Sequence, residues 1–62
     1  MRIDRIKFAA AMARADLNGK MLGEKSGVSR VTITAVKNGK SCSEETARKL
    51  MAVLGNDILE VN

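Results

Sequence analysis

Apolar residues recur along this chain at helical spacing, and breaks in that spacing divide it into four segments. In the last of these, Ala47, Leu50, Met51 and Leu54 fall at i, i+3, i+4 and i+7, the stripe by which an amphipathic helix faces a core. Ser43 stands before it as an N-cap, Glu44 and Glu45 lie in the first turn where unpaired N–H groups favour carboxylates, and Gly55-Asn56 stops it. The first segment predicts a helix over 3–15, but its stripe is double. Phe8, Ala11, Met12 and Ala15 mark one face, and Ile3, Ile6, Ala10 and Ala13 mark another. The two compete, one for the core and one for a partner surface.

Between them lie two short helices. Asp16-Leu17-Asn18-Gly19 breaks the first helix, and Asn18 caps a second over Gly19 to Lys25 or Ser26, with Leu22 as its inward anchor. Gly27 stands where a helix end takes a left-handed backbone. Val28 points inward and Ser29 caps a third helix, 30–38, whose inner face carries Ile33 and Val36. Asn38-Gly39 ends it, and the polar Lys40-Ser41-Cys42 leads on to Ser43. The remaining 57–62 is too short for a stable helix of its own. Its Ile58, Leu59 and Val61 dock on something, either this core or a second copy in a dimer. Proline is absent and alanine abundant, so the class is all-α: a compact four-helix domain with room for a short fifth element.

The chain has 62 residues, enough for one small domain spanning 1–62, with 57–62 as its docking or dimerisation tail. It has one cysteine and no histidine, which excludes an internal disulfide and any usual zinc set, and no metal or other cofactor is expected. Cys42 reads as a reduced thiol of a cytoplasmic protein. No apolar run reaches membrane-spanning length. With no histidine, no base beside the thiol and no paired carboxylates, the chain does not read as an enzyme, and no small-molecule ligand is expected. The net charge of +4 is unevenly spread: +2 over 1–17, +4 over 18–40 and −2 over 41–62. Basic charge gathered in the middle suits a polyanion once a motif supports it.

That motif lies between Gly19 and Asn38. Leu22, Gly23, Gly27, Val28, Ile33 and Val36 hold the offsets a two-helix unit needs: a tight turn at Gly27, a close crossing at Gly23 and four apolar residues filling the wedge. Residues 22–40, Leu-Gly-Glu-Lys-Ser-Gly-Val-Ser-Arg-Val-Thr-Ile-Thr-Ala-Val-Lys-Asn-Gly-Lys, resemble the signature of the phage-repressor family, which includes lambda-type repressors and Cro proteins. The likeness extends more weakly over 5–55. It implies a lambda-repressor-like helix-turn-helix fold, in which the helix over 29–38 lies in the major groove of double-stranded DNA. It further implies a repressor or Cro-like regulator of phage or mobile-element type, bound as a homodimer to a two-fold operator.

Carried over position by position, the resemblance assigns Ser29, Arg30, Val31, Thr34, Ala35 and Asn38 to the DNA side. Arg30 is the expected base reader, since a guanidinium bonds a guanine at O6 and N7 together. Thr32 and Thr34 suit phosphates or a thymine methyl, and Val31 suits a methyl. Asn38 with Gly39 resembles the family's phosphate clamp, flanked by Lys37 and Lys40. Two departures stand out. The family's glutamine is replaced by Gly19, leaving Asn18 or Lys20 to brace the backbone, and the family's Arg–Glu pair is replaced by Met12 and Lys37. The competing reading is a protein-interaction module of antitoxin or anti-repressor type on the same fold. The basic face at Arg30, Lys37 and Lys40 speaks against it.

Overall fold

In the computed structural model, which describes residues 2–60, the chain folds into four helices and a closing turn. They are α1 (Arg5–Arg14), α2 (Gly19–Ser26), α3 (Arg30–Lys37), α4 (Glu44–Leu54) and a single 3-10 turn, Asn56–Ile58. Among the described residues there is no strand beyond one isolated antiparallel bridge, Ile3 to Leu59. The expected all-α, four-helix architecture with a short fifth element is what forms. No helix among these residues is long and apolar enough to cross a membrane.

Side-chain caps set most of the boundaries. Asn18 accepts from the Met21 N–H at 2.8 Å, Ser29 from Thr32 at 3.2 Å and Ser43 from Thr46 at 3.1 Å, each relieving one of the unpaired donors of a first turn. The first helix differs from the span 3–15. Asp4 is its N-cap, accepting from Ile6 and Lys7 at 2.9 and 3.0 Å, and Ile3 therefore lies outside it in extended backbone. At the other end Leu17 N–H reaches Met12 O and Asp16 N–H reaches Ala13 O, a Schellman closure that puts Asp16 at φ +56°.

One core joins all the elements. Phe8, Leu22, Ala47, Leu50 and Ile58 are fully enclosed, with Ile3, Ala11, Met12, Val28, Ile33 and Val36 packed around them. α2 packs on α3 and α4, and α1 packs on α3, α4 and the closing turn. Of the two stripes on the first segment, Phe8, Ala11 and Met12 go inward, while Ala15 ends exposed past the helix. The competing stripe dissolves. Ile3 is buried, but from the arm before the helix, and Ile6 is 70% exposed.

Of the two placements open to the tail, Ile58 takes the one on its own core. Ile58 is fully buried in the core of its own chain, so its side chain is not available to a second copy. Leu59 is half-buried against the same core, and Val61 lies outside the described residues. Two backbone bonds hold the tail against the N-terminal arm: Asp4 N–H to Ile58 O at 2.8 Å and Glu60 N–H to Arg2 O at 3.1 Å.

Two stability predictions follow from these ends. A left-handed backbone costs an L-residue about 1–2 kcal/mol, and glycine escapes it while giving back about 0.5–1 kcal/mol of chain entropy. Asp16→Gly is therefore expected to stabilise the chain by about 0.5–1 kcal/mol, read from thermal unfolding; a lowered melting temperature contradicts the account. The second concerns acid. The N–H groups of Lys7 and Ile6 hold the Asp4 carboxyl below its ordinary 3.8, and the hydrogen bond from Arg14 does the same for Asp57. Groups with lowered folded pKa values contribute stability in full above the ordinary value, and that stability is lost as pH falls through the folded one. The melting temperature should thus drop below about pH 4, and an Asp4→Asn, Asp57→Asn double variant should flatten that drop.

Candidate nucleic-acid interface

The turn between α2 and α3 decides where α3 points. Gly27 takes φ +76°, a conformation that costs a glycine nothing sterically, and its N–H closes on Gly23 O at 2.9 Å. Ser26 stitches the turn from within: its hydroxyl donates to Leu22 O at 2.7 Å and accepts from Val28 N–H at 3.2 Å. Gly23 sits at the crossing, where a β-carbon would stand 3.1 Å from Val28 O and 3.7 Å from Ile33 Cδ1. The helices pass this closely because nothing projects there.

Only Ile33 and Val36 of α3 are buried. Arg30, Val31, Thr34 and Lys37 are exposed, as is Asn38 at the helix end, while Thr32 and Ala35 are half-buried at the margins. Arg30, Val31 and Thr34 line one shallow, open depression. Val31 is 82% exposed, an apolar β-branched side chain with no neighbour to cover it. Ser29 is occupied at the start of the helix, capping Thr32 N–H and donating its own hydroxyl to Thr32 Oγ1 at 2.9 Å.

The far end is closed by backbone. Gly39 N–H reaches Val36 O and Lys40 N–H reaches Ala35 O, both at 3.0 Å, with Gly39 at φ +87°. This Schellman pair fixes Asn38 and Lys40, both exposed, on either side of the turn. On α2, Lys20 is exposed in the first turn, and Asn18 is spent in part on its cap. A β-carbon at Gly19 would meet nothing within 4 Å, so the site of the family's glutamine is open space. Met12 is buried and Lys37 has no carboxylate partner among the described residues.

A different tie holds α3 to the rest of the chain. Arg2 donates from Nη2 to Gly39 O at 3.0 Å, while its Nε pairs with Glu60 at 3.1 Å. Arg5 lies beside the same glycine, where a β-carbon would be 3.4 Å from Arg5 Cδ. Neither arginine was singled out by the sequence pattern. They are brought to α3 by folding across more than thirty residues, which no local spacing reveals.

The charges divide by face. Four ion pairs form among the described residues: Arg2–Glu60, Arg14–Asp57 at 3.1 Å, Lys49–Glu45 at 3.5 Å and Arg48–Glu44. Every side-chain carboxylate after residue 40 among the described residues is thereby occupied. Lys20, Lys25, Arg30, Lys37 and Lys40 have no such partner there. Exposed pairs of this kind add little stability, so their consequence is the field they leave: the basic charge of the middle segment is not neutralised by its own chain.

A capped helix held proud of the core by a glycine turn, with exposed polar and basic residues along it, defines a helix-turn-helix unit. A family model described as helix-turn-helix matches residues 8–61, and the chain belongs to that family, the one of lambda-repressor and Cro type, as a DNA-binding domain. Comparison with curated proteins and with solved structures finds no match for it.

The crossing at Gly23 is testable without DNA. Gly23→Val forces branched carbons against Val28 O and Ile33, and overpacking of this kind costs about 1–3 kcal/mol. Denaturant unfolding should show a loss in that range; an unchanged midpoint would mean the helices have room to spare.

Proposed function

We propose that this chain is a sequence-specific transcriptional regulator that reads the major groove with residues 29–38. The observation that carries the reading is the outer face of α3. It combines Arg30, an 82%-exposed Val31 and Thr34 in one depression, with unneutralised Lys37 and Lys40 at the far end. A folded chain gains nothing from holding Val31 in water, whereas a thymine methyl in the groove is its natural contact. Arg30 reads a guanine from the helix start. Thr34 and the half-buried Thr32 and Ala35 line the approach. Lys20, Lys37, Asn38 and Lys40 hold phosphates, and phosphate contacts position the protein without reading sequence. Asn18 and Ser29 serve by fixing the two helix starts, their side chains already bonded there.

One such helix touches only a few base pairs, so the chain acts as a homodimer on a two-fold operator. With Ile58 enclosed, the partner surface has to be found among groups other than that side chain. A protein-interaction role that leaves α3 idle does not account for unpaired cations gathered on and around it.

Selection from random duplexes tests the reading and returns the half-site spacing. On the selected site, Arg30→Ala should cost about 1–3 kcal/mol of affinity while changing binding to mixed-sequence DNA far less. Absence of salt-sensitive duplex binding by the wild-type chain would defeat the proposal.

A further inference from the structure

We propose that Arg5 is an additional phosphate-contacting residue of the DNA interface, placed by the fold beside the C-terminal turn of α3. The proposal rests on the reading of α3 above and extends its footprint to the start of α1. A polar recess opens between the two elements, lined in part by Arg2, Asp4, Arg5, Ile6, Asn38 and Gly39. Its other charges are engaged. Asp4 caps α1 through Ile6 and Lys7 N–H, and the nearby Glu60 pairs with Arg2, which also donates to Gly39 O. Arg5 alone is exposed and without a carboxylate or carbonyl partner among the described residues.

The left-handed turn favours glycine at 39, and Arg5 Cδ lies 3.4 Å from where a β-carbon would stand there, at contact distance from the turn. Arg5, Lys37 and Lys40 then stand around Asn38 at one end of the reading helix. The ligand this chemistry recognises is a phosphodiester oxygen, which takes a guanidinium in a charge-assisted hydrogen bond whatever the base sequence. A purely structural role is also open to a cation here, because the end of a helix carries partial negative charge. The two roles differ in what salt does to binding.

The test measures affinity of the full chain for a mixed-sequence duplex over a range of salt concentrations. Arg5→Gln should lower the slope of log affinity against log salt by about 0.9 and weaken binding about eightfold near 0.1 M salt. Arg5→Lys should keep the slope. So should Arg14→Gln, whose guanidinium is already held by Asp57. Thermal melts of each variant check folding, and Arg5→Ala reads the same slope through a second substitution. An Arg5→Gln protein that melts earlier yet keeps the wild-type slope would overturn the proposal, leaving Arg5 as a helix-end charge only. Wild-type protein without any salt dependence would instead defeat the DNA reading beneath it, and the two failures are distinct.

Discussion

The close crossing of α2 and α3 is the constraint on which the rest depends. An eight-residue helix has too few internal hydrogen bonds to stand alone in water, so α3 exists only because it is held. Its grip on the core is narrow: Ile33 and Val36 from the helix itself, Val28 just before it. Burying an aliphatic side chain of this size contributes about 1.5–3 kcal/mol, which leaves little reserve if any of them is displaced. Gly23 and Gly27 bring those three residues within reach of Leu22 and the core, and Ser26 closes the polar groups the turn would otherwise strand. The narrow grip is also what leaves most of α3 facing outward.

Both ends of α3 are fixed by devices that use few atoms. Ser29 caps the start, and the Schellman closure at Gly39 caps the finish. Arg2 adds a long-range hold on the carbonyl of Gly39, whose N–H makes that closure, and it is tied in turn to the tail through Glu60 and the Ile3–Leu59 bridge. Residues 2–4 and 58–60 therefore meet beside the last turn of α3, and these bonds join them to each other and to that turn.

What was legible in the sequence was local. The caps at Asn18, Ser29 and Ser43, the stops at Gly27, Gly39 and Gly55, and the stripe Leu22, Val28, Ile33, Val36 depend on neighbours within a few residues. Their positions follow from spacing alone. The family signature sharpened that reading without changing it. The first segment was less clear because alanine fits either face of a helix, and period counting treated Ile3 as helical when Asp4 caps the helix after it. Ile58 was ambiguous for a different reason. An apolar residue in a short tail has no period to place it, and only the antiparallel bonds between residues 2–4 and 58–60 show that it closes its own core. Arg5 was invisible in kind, since its place beside the end of α3 comes from folding across 34 positions.

The distribution of carboxylates gives the basic face its meaning. Four acidic residues sit after position 40, and each is paired with a cation that lies off α3. Had any of them reached Lys37 or Lys40 instead, the chain's total charge would be the same and its field at α3 would not. Net charge is therefore a poor guide to this protein's partner, and pairing is a better one. The positions 12 and 37 act in the same direction: Met12 adds to the core, and Lys37 has no carboxylate partner among the described residues. The scaffold holds α3 by apolar contacts and backbone bonds, and so keeps its charges for the surface that α3 presents.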